Sequence, residues 1–205
     1  MKDFPLIVSY YTQDTMYQLE VQNLIASCER YQLDYHVEPI PTFGSWERNC
    51  SYKPFFLLEK LQQFGKPILW VDADGVFLKK PERLSVFDSD FSVRINRSWE
   101  DSHPSKVISG TIYVNATTGG ERVLKSWAKE CLDSLSDPQR AEEFWDQIAL
   151  RDVILRSVPG ARISELPPGY MAIIGNPQDQ KEIEEVVIGH YQASRRFKKI
   201  INMRA

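Results

Sequence analysis

Apolar residues recur along the first 71 residues with spacings that predict strands and helices in alternation. Residues 4–11 form a short, mostly apolar run typical of a buried strand. Thr15 and Gln18 then stand at the spacing of a capping box, which predicts that a helix begins there. The apolar face of this helix would consist of Tyr17, Val21, Leu24 and Cys28. A second strand is predicted over residues 35–40.

The next stretch completes the pattern. Pro54 can occupy the first turn of a helix over residues 54–64, and Gly65 provides its end. Residues 67–71 then form a continuous apolar run, which is expected of a central parallel strand. The order strand, helix, strand, helix, strand predicts an α/β fold with helices on both faces of one sheet.

The second half of the chain is less regular. Strands are predicted over 91–95, 107–114, 170–174 and 186–188, and helices over 121–135, 142–155 and 178–185. Residues 190–205 form a tail with no helix or strand prediction. Because there is no repeat, low-complexity tract or shift in composition, residues 1–205 are predicted to be a single domain.

Composition and charge exclude several classes of protein. Hydrophobic residues make up 42% and charged residues 26%, values typical of a globular chain and not of a disordered one. The net charge of −3 argues against nucleic acid as a partner. No apolar run approaches the roughly 20 residues of a membrane span, so no span is expected in this chain. Three cysteines without metal-binding spacing suit a reducing compartment, which predicts a cytoplasmic location.

The chemistry that stands out is a pair of acids after the central strand. Asp72 and Asp74 flank Ala73 and are followed by Gly75, directly beyond the apolar run. Ligands of open α/β sheets bind at the carboxyl ends of strands, and a turn beginning at Asp72 would let both carboxylates reach one cation. Carboxylate oxygens suit Mn²⁺ or Mg²⁺, ions that stabilise a diphosphate leaving group.

Two enzyme classes carry this local pattern. Asp72 to Val76 match the first motif of the haloacid-dehalogenase-like phosphatases, in which Asp72 would be the nucleophile and Asp74 the acid or base. The same aspartates match the D-x-D motif of the GT-A glycosyltransferases. The context favours the second class, because about 70 residues of strand and helix precede Asp72 and no late acidic cluster follows a strand.

Five ordered motifs carry a resemblance to the GT-A glycosyltransferases related to glycogenin and to lipopolysaccharide galactosyltransferases. They are Tyr10-Tyr11-Thr12, Trp70-Val71-Asp72-Ala73-Asp74, Ile108-Ser109-Gly110-Thr111 with Val114-Asn115, Trp145-Asp146-Gln147, and His190 to Arg196. The chain departs from the family pattern at Ala193, where the family has glycine, and at Arg196, where it has lysine. The resemblance implies a Rossmann-like, mixed and mainly parallel sheet flanked by helices, the nucleotide-diphospho-sugar transferase fold.

The resemblance also implies a role for each matching residue. Asp72, Asp74 and His190 would hold Mn²⁺ or Mg²⁺, with Ala73 between the two acids. Tyr10, Tyr11 and Thr12 would meet the nucleotide base, and Arg196 would meet the diphosphate. Ser109, Gly110, Asp146 and Gln147 would shape the sugar pocket, with Asp146 and Gln147 closest to catalysis. From its own position before Pro54, Lys53 is a candidate cation at the nucleotide phosphates.

The resulting hypothesis is a metal-dependent glycosyltransferase that uses a nucleoside-diphosphate sugar, most simply a UDP-sugar. Residues 1–80 would be the nucleotide-binding half and residues 81–205 the half for donor sugar and acceptor, the acceptor being a glycan, lipid or protein. Three alternatives stay open at this point: the phosphatase, a sugar nucleotidyltransferase, and a binding module without catalysis. Residues 11–14 lack the glycine-rich loop of a nucleotidyltransferase, and intact Asp72, Asp74 and His190 favour an enzyme over a binding module.

Overall fold

The computed structural model describes residues 4–82, 88–136 and 144–204. The strands are β1 (Leu6–Thr12), β2 (Tyr35–Ile40), β3 (Ile68–Val71), β4 (Gly75–Phe77), β5 (Phe91–Ile95), β6 (Val107–Val114), β7 (Ile163–Glu165), β8 (Ala172–Ile173) and β9 (Ile188–His190). The helices are α1 (Tyr17–Tyr31), α2 (Trp46–Ser51), α3 (Lys53–Phe64), α4 (Thr118–Leu135), α5 (Asp146–Arg156), α6 (Pro177–Glu182) and α7 (Ser194–Arg204). A 3₁₀ turn spans Pro168–Tyr170.

Six of these strands form a mixed sheet in the order β2-β1-β3-β6-β5-β7. β1 is parallel to both β2 and β3, and β7 is parallel to β5. β6 runs antiparallel to its neighbours β3 and β5. A second sheet has the order β4-β9-β8. The predicted α/β fold with a mixed, mainly parallel sheet is therefore confirmed.

Both faces of the large sheet are covered, which explains why β3 is continuously apolar and β1 mostly so. Val8 and Trp70 point into one core, packed against helices α3, α4 and α5. Ile7 and Leu69 point into the other core, packed against α1 and the segment that carries β8 and β9. Successive side chains of a strand alternate between faces, so a strand buried on both sides needs apolar residues throughout.

The predicted order strand, helix, strand, helix, strand is confirmed as β1-α1-β2-α3-β3, and Gly65 is the C-cap of α3. The predicted capping box at Thr15 is wrong. Helix α1 begins at Tyr17, after a Met16 N-cap that receives no side-chain hydrogen bond. The Thr15 hydroxyl instead donates to the Thr12 carbonyl (2.7 Å) and accepts from the Tyr17 N–H (3.3 Å), so it stabilises the turn between β1 and α1.

The second half differs more from the predictions. The strand expected over 186–188 lies at Ile188–His190, because its register is set by antiparallel pairing with β4. The helix predicted over 142–155 begins at Asp146, and residues 142–143 lie outside the described residues. The strand predicted over 170–174 is reduced to Ala172–Ile173. Helices α2 and α7 have no counterpart in the sequence predictions, and α7 is made from the predicted tail.

Two other expectations concern the cysteines and the membrane. Cys28 and Cys131 are free and buried in the two cores, as predicted from their helix faces. Within the three described ranges, no helix is long and apolar enough to cross a lipid bilayer. The cytoplasmic location stays a prediction.

Candidate active site

A cleft opens where β1 and β3 end, at the edge of the sheet where open α/β folds place their ligands. All the predicted site residues except Arg196 line this cleft: Tyr10, Tyr11, Thr12, Lys53, Asp72, Ala73, Asp74, Ser109, Gly110, Asp146, Gln147 and His190. They come from the ends of β1, β3 and β9, from β6, and from the first residues of α3 and α5. The fold thus gathers residues that are far apart in sequence.

Asp72, Asp74 and His190 form a compact group with the composition of a metal site. Each offers one ligand atom, and these atoms lie within 4.8 Å of one another. The Gly75 N–H donates to the Asp72 carbonyl (2.8 Å), which closes the turn that brings the two carboxylates together. Two carboxylate oxygens and an imidazole nitrogen suit Mn²⁺, whose preferred ligands include both types.

The orientation of His190 supports this interpretation. Its Nε2 atom lies 2.8 Å from the Thr111 hydroxyl, which holds the ring in place. Its Nδ1 atom is buried, has no hydrogen-bond partner among the described residues, and lies 3.7 Å from an Asp74 carboxylate oxygen. Metal-bound histidines characteristically hold one ring nitrogen by a hydrogen bond and direct the other at the ion. The residues present therefore fit a divalent cation.

Two glycines make room for the His190 ring. A Cβ atom on Gly75 would lie 2.9 Å from the His190 Cε1 atom and 2.4 Å from a methyl group of Val71. A Cβ atom on Gly110 would lie 3.2 Å from the same ring atom and 2.7 Å from the Met171 sulfur. The absence of a side chain at both positions allows β4 and β6 to approach the imidazole closely.

Asp74 is held in its ionised form. Burial by itself raises the pKa of this carboxyl group, but the neighbouring His190 and the hydrogen bond from the Ala193 N–H (2.6 Å) outweigh burial and lower it. The alanine that replaces the family's glycine thus contributes its backbone N–H to an acid of the metal group. A carboxylate that stays charged is ready to bind a cation at neutral pH.

Lys53 connects the metal group to Asp146 at the start of α5. Its ammonium group is buried and lies 2.9 Å from a carboxylate oxygen of Asp72 and 2.9 Å from one of Asp146. It also donates to the carbonyl and the hydroxyl of Ser109 (3.3 and 3.4 Å). Burial favours the neutral amine, but the two carboxylates outweigh it and raise the pKa of Lys53. This fixed cation is shared by two acids, an arrangement that spacing in sequence does not reveal.

Asp146 and Gln147 are tied to strand β6. The Ser109 hydroxyl donates to the Asp146 carboxylate (2.9 Å), and the Ser109 N–H donates to the Gln147 side-chain oxygen (3.1 Å). The Gln147 amide nitrogen donates to the Pro104 carbonyl (2.9 Å). Asp146 lies at the first turn of α5, where the helix dipole favours a negative charge. These contacts hold Asp146 and Gln147 in one geometry relative to β6.

Of the residues predicted to bind the nucleotide base, Tyr10 does not lie as the prediction requires. Tyr10 is 8% exposed, packs edge-on against Phe56, and donates its hydroxyl to the Asn49 carbonyl (2.8 Å). Its ring also contacts Trp70 at 4.9 Å between centroids, so it forms part of the floor and has no free face for stacking. Tyr11 is half-buried and lines the cleft, a position that suits its predicted contact with the nucleotide base.

The predicted role of Arg196 needs correction. Its side chain is 58% exposed, pairs with Glu20 at 2.7 Å, and does not belong to the cleft lining. The tail folds as helix α7, and helical periodicity turns residue 196 toward α1 when Phe197 and Ile201 face inward. A motif match in sequence therefore did not determine the direction of this side chain.

Replacing Arg196 by Ala is expected to change the affinity for a nucleoside diphosphate by less than about threefold, because its side chain pairs with Glu20 and is not part of the cleft lining. Isothermal titration calorimetry with UDP and Mn²⁺ measures this directly. The exposed Lys129, which pairs with Asp133 on α4, provides the control Lys129→Ala. A loss of tenfold or more in Arg196→Ala alone would return Arg196 to the diphosphate.

Sequence analysis assigned no ligand-binding role to several residues of the cleft wall. Tyr17, Trp46, Trp145, Met171 and Ile201 line it as well. Tyr17 was assigned to the core face of α1, and Trp46 belongs to the unpredicted helix α2. The sequence does offer one signal for such wall residues, namely a large aromatic residue beside predicted site residues, as Trp145 stands beside Asp146.

With the geometry in place, comparison with known proteins defines the class. The family model described as nucleotide-diphospho-sugar transferase matches residues 49–198, well over half of the chain. The chain belongs to this family, and the protein is a transferase enzyme. The match includes all the residues of the metal group and sets the phosphatase alternative aside.

Solved structures share the fold. One is the crystal structure of a glycosyltransferase involved in the glycosylation of the major capsid of PBCV-1, which is 13% identical with a TM-score of 0.65 over 98% of this chain and 100% of that one. Another is galactosyltransferase LgtC in complex with donor and acceptor sugar analogs, 11% identical with a TM-score of 0.54 over 97% and 95% of the two chains. No curated protein sequence matches this chain significantly.

Proposed function

We propose that this enzyme transfers a sugar from a nucleoside-diphosphate sugar, namely a UDP-sugar, to an acceptor hydroxyl, with Mn²⁺ or Mg²⁺ held by Asp72, Asp74 and His190. The observation that carries the proposal is the buried Nδ1 atom of His190, which has no hydrogen-bond partner among the described residues and lies 3.7 Å from an Asp74 carboxylate oxygen within the group of Asp72, Asp74 and His190. The choice of UDP is supported by the resemblance of the segment from Trp70 to Asp74 to the D-x-D core of UDP-sugar transferases.

In this proposal one side of the cleft binds the nucleotide and the other side binds the donor sugar. Residues 1–80 supply the nucleotide side, where Tyr11 and Thr12 at the end of β1 would bind the base and ribose. Residues 81–205 supply the sugar side, where Ser109, Asp146 and Gln147 would bind the hydroxyl groups of the donor sugar. We propose that both halves form one catalytic domain, because the cleft between them draws on both.

The chemical gain is stabilisation of the departing diphosphate. A bound divalent cation supplies positive charge at the phosphate oxygens, an effect worth several kcal/mol in enzymes of this kind. Lys53 holds the Asp72 and Asp146 carboxylates in fixed positions, so little reorganisation is needed during transfer. Gln147, held by hydrogen bonds to Ser109 and Pro104, forms part of the cleft wall beside the path of the acceptor hydroxyl to the anomeric carbon.

A thermal-shift panel of nucleotides tests the proposal. A ligand at about 100 times its Kd adds roughly 2.7 kcal/mol, which raises the Tm of a chain of this size by about 5–10 °C. We expect this rise with UDP in the presence of Mn²⁺ and a much smaller one without the ion. In His190→Ala, adding Mn²⁺ should give no rise beyond the metal-free one. His36→Ala, a change at a half-buried residue of β2 outside the cleft lining, serves as control.

The panel also includes ADP, GDP and CDP. A metal-dependent rise with one of these and none with UDP would replace the proposed nucleotide while keeping the reaction class. No rise with any nucleoside diphosphate, with or without Mn²⁺, would overturn the proposed function.

A further inference from the structure

Two tryptophans form a corner in the wall of the cleft that the proposed catalytic residues do not use. Trp46 is the first residue of α2, and Trp145 directly precedes α5. Both are half-buried and line the cleft. Their ring centroids are 6.3 Å apart, and the two ring planes are inclined at 57° to each other. We call this pair the tryptophan corner.

The corner is held rigidly by its surroundings. The Trp46 indole N–H donates to the Tyr17 hydroxyl (3.2 Å), and its backbone N–H donates to the Asn202 side chain (2.8 Å). The ammonium group of Lys198, which pairs with Glu47 (2.8 Å) and is not part of the cleft lining, lies over both rings, 4.7 Å from the Trp46 ring centre and 5.7 Å from the Trp145 ring centre. The surface available to a ligand is therefore the part of each ring that lines the cleft. A pair of aromatic surfaces that is fixed before a ligand arrives loses little conformational freedom on binding.

The position of the corner points to the sugar side of the cleft. Trp145 is followed immediately by Asp146 and Gln147, which are bound to Ser109 on β6. The tryptophan corner is thus attached to the residues proposed to hold the donor sugar, and it contributes no ligand to the metal group. A molecule resting on it would lie next to the donor sugar, which is where an acceptor must be for transfer.

The chemistry of the corner favours a carbohydrate. The face of a sugar ring carries C–H groups that pack on an aromatic surface, while its hydroxyls project around the rim to polar partners. Polar residues share the cleft lining with the corner, including Ser105, Gln147 and Ser194. An acyl chain would instead need a longer, continuously apolar groove, and the polar rim does not provide one.

We propose that the tryptophan corner is the acceptor subsite and that the acceptor is a glycan, whose terminal sugar ring stacks on Trp145 and Trp46. This inference rests on the proposed function and narrows its acceptor from three classes to one. The acceptor hydroxyl would displace the nucleoside diphosphate from the anomeric carbon: the new C–O bond forms as the bond to phosphate oxygen breaks, and the hydroxyl proton is released.

The experiment measures release of UDP from a UDP-sugar by the full chain with Mn²⁺. The donor panel is UDP-glucose, UDP-galactose, UDP-N-acetylglucosamine and UDP-glucuronic acid. The acceptors are methyl glycosides of common hexoses and their disaccharides, set against serine- and tyrosine-containing peptides and a long-chain alcohol. The variants are Trp145→Leu, which is apolar but not flat, and Trp145→Phe, which keeps a flat ring. Trp99→Leu is the control, because Trp99 is 39% exposed and outside the cleft lining.

We expect a glycoside to be the acceptor. Trp145→Leu should raise its KM about tenfold, corresponding to about 1.4 kcal/mol of lost contact, with the Kd for UDP unchanged within about twofold. Trp145→Phe should recover most of the loss, and Trp99→Leu should match the wild type. UDP affinity and Tm, measured on each variant, separate loss of acceptor binding from loss of the fold.

Three results would overturn the inference while leaving the proposed function in place. In the first, UDP binds with Mn²⁺ but transfer occurs only to a peptide or to the alcohol. In the second, Trp145→Leu binds UDP normally and shows an unchanged glycoside KM. In the third, the variant loses UDP affinity and keeps its acceptor KM, which would assign the corner to the donor. A wild-type chain that binds no nucleotide would instead fail the proposed function first.

Discussion

Replacing Asp74 by Asn is expected to lower the kcat of sugar transfer about a thousandfold. The asparagine removes one of the three ligand atoms of the metal group and its negative charge, with almost no change in size. In the proposed function a bound cation stabilises the transition state by several kcal/mol, and each 1.36 kcal/mol corresponds to a tenfold change in rate. The measurement is UDP release with the best acceptor at saturating donor and Mn²⁺.

The fold of the variant must be intact for this result to be informative. Far-UV circular dichroism and the Tm without ligand check that it is, since Asp74 also accepts the Ala193 N–H, which an amide oxygen can still do. Asp34→Asn is the matched control, because Asp34 is 86% exposed and forms only a long, 4.0 Å ion pair with Lys66. A folded Asp74→Asn protein with more than a tenth of the wild-type kcat would contradict the assignment of the metal group.

The second large effect concerns stability. Asp179→Ala is expected to lower the free energy of unfolding by about 3–5 kcal/mol, because it leaves the buried Arg94 guanidinium without its counter-charge. Both side chains are buried, and the guanidinium donates to the two Asp179 carboxylate oxygens at 2.9 and 2.6 Å. The same carboxylate accepts the Ile173 N–H (2.6 Å), and Arg94 also donates to the Met171 carbonyl (2.6 Å).

This ion pair fastens β8, which contributes to the cleft wall, to strand β5 of the large sheet. Urea denaturation followed by circular dichroism measures the effect. Asp133→Ala, which breaks the exposed pair with Lys129 on α4, should cost less than about 1 kcal/mol. Equal effects of the two substitutions would show that the Arg94–Asp179 pair is not the anchor described here.

Local patterns in the sequence were sufficient for the strands and helices around the metal group. The apolar run of β3 and the acids after it predicted the turn at Asp72, since a strand buried on both faces must end where charged side chains begin. Gly65 predicted the end of α3 for a similarly local reason, because its left-handed φ of 59° favours glycine. The helices that the sequence did not predict, α2 and α7, are short or rich in charge, and they depend on packing against other elements.

In the site, too, some features could be predicted from local sequence and others depend on tertiary packing. The identity of Asp72, Asp74 and His190 could be predicted from motif order, although His190 is more than a hundred residues from the others. The direction of Arg196 and the burial of Tyr10 could not, because each depends on which neighbour a side chain meets. Arg196 faces Glu20 on α1, and Tyr10 faces the aromatic residues of α3 and β3.

By itself, then, the sequence determined the class of fold, the position of the acidic turn and the likeness to sugar-nucleotide transferases, because these follow from periodicity and short-range spacing. Only the tertiary structure decided that Lys53 joins Asp72 to Asp146 and that Trp46 meets Trp145 at the cleft wall. Both arrangements bring together residues from separate helices and strands. Such contacts depend on how the helices pack on the sheet, and the spacing of residues along the chain does not predict them.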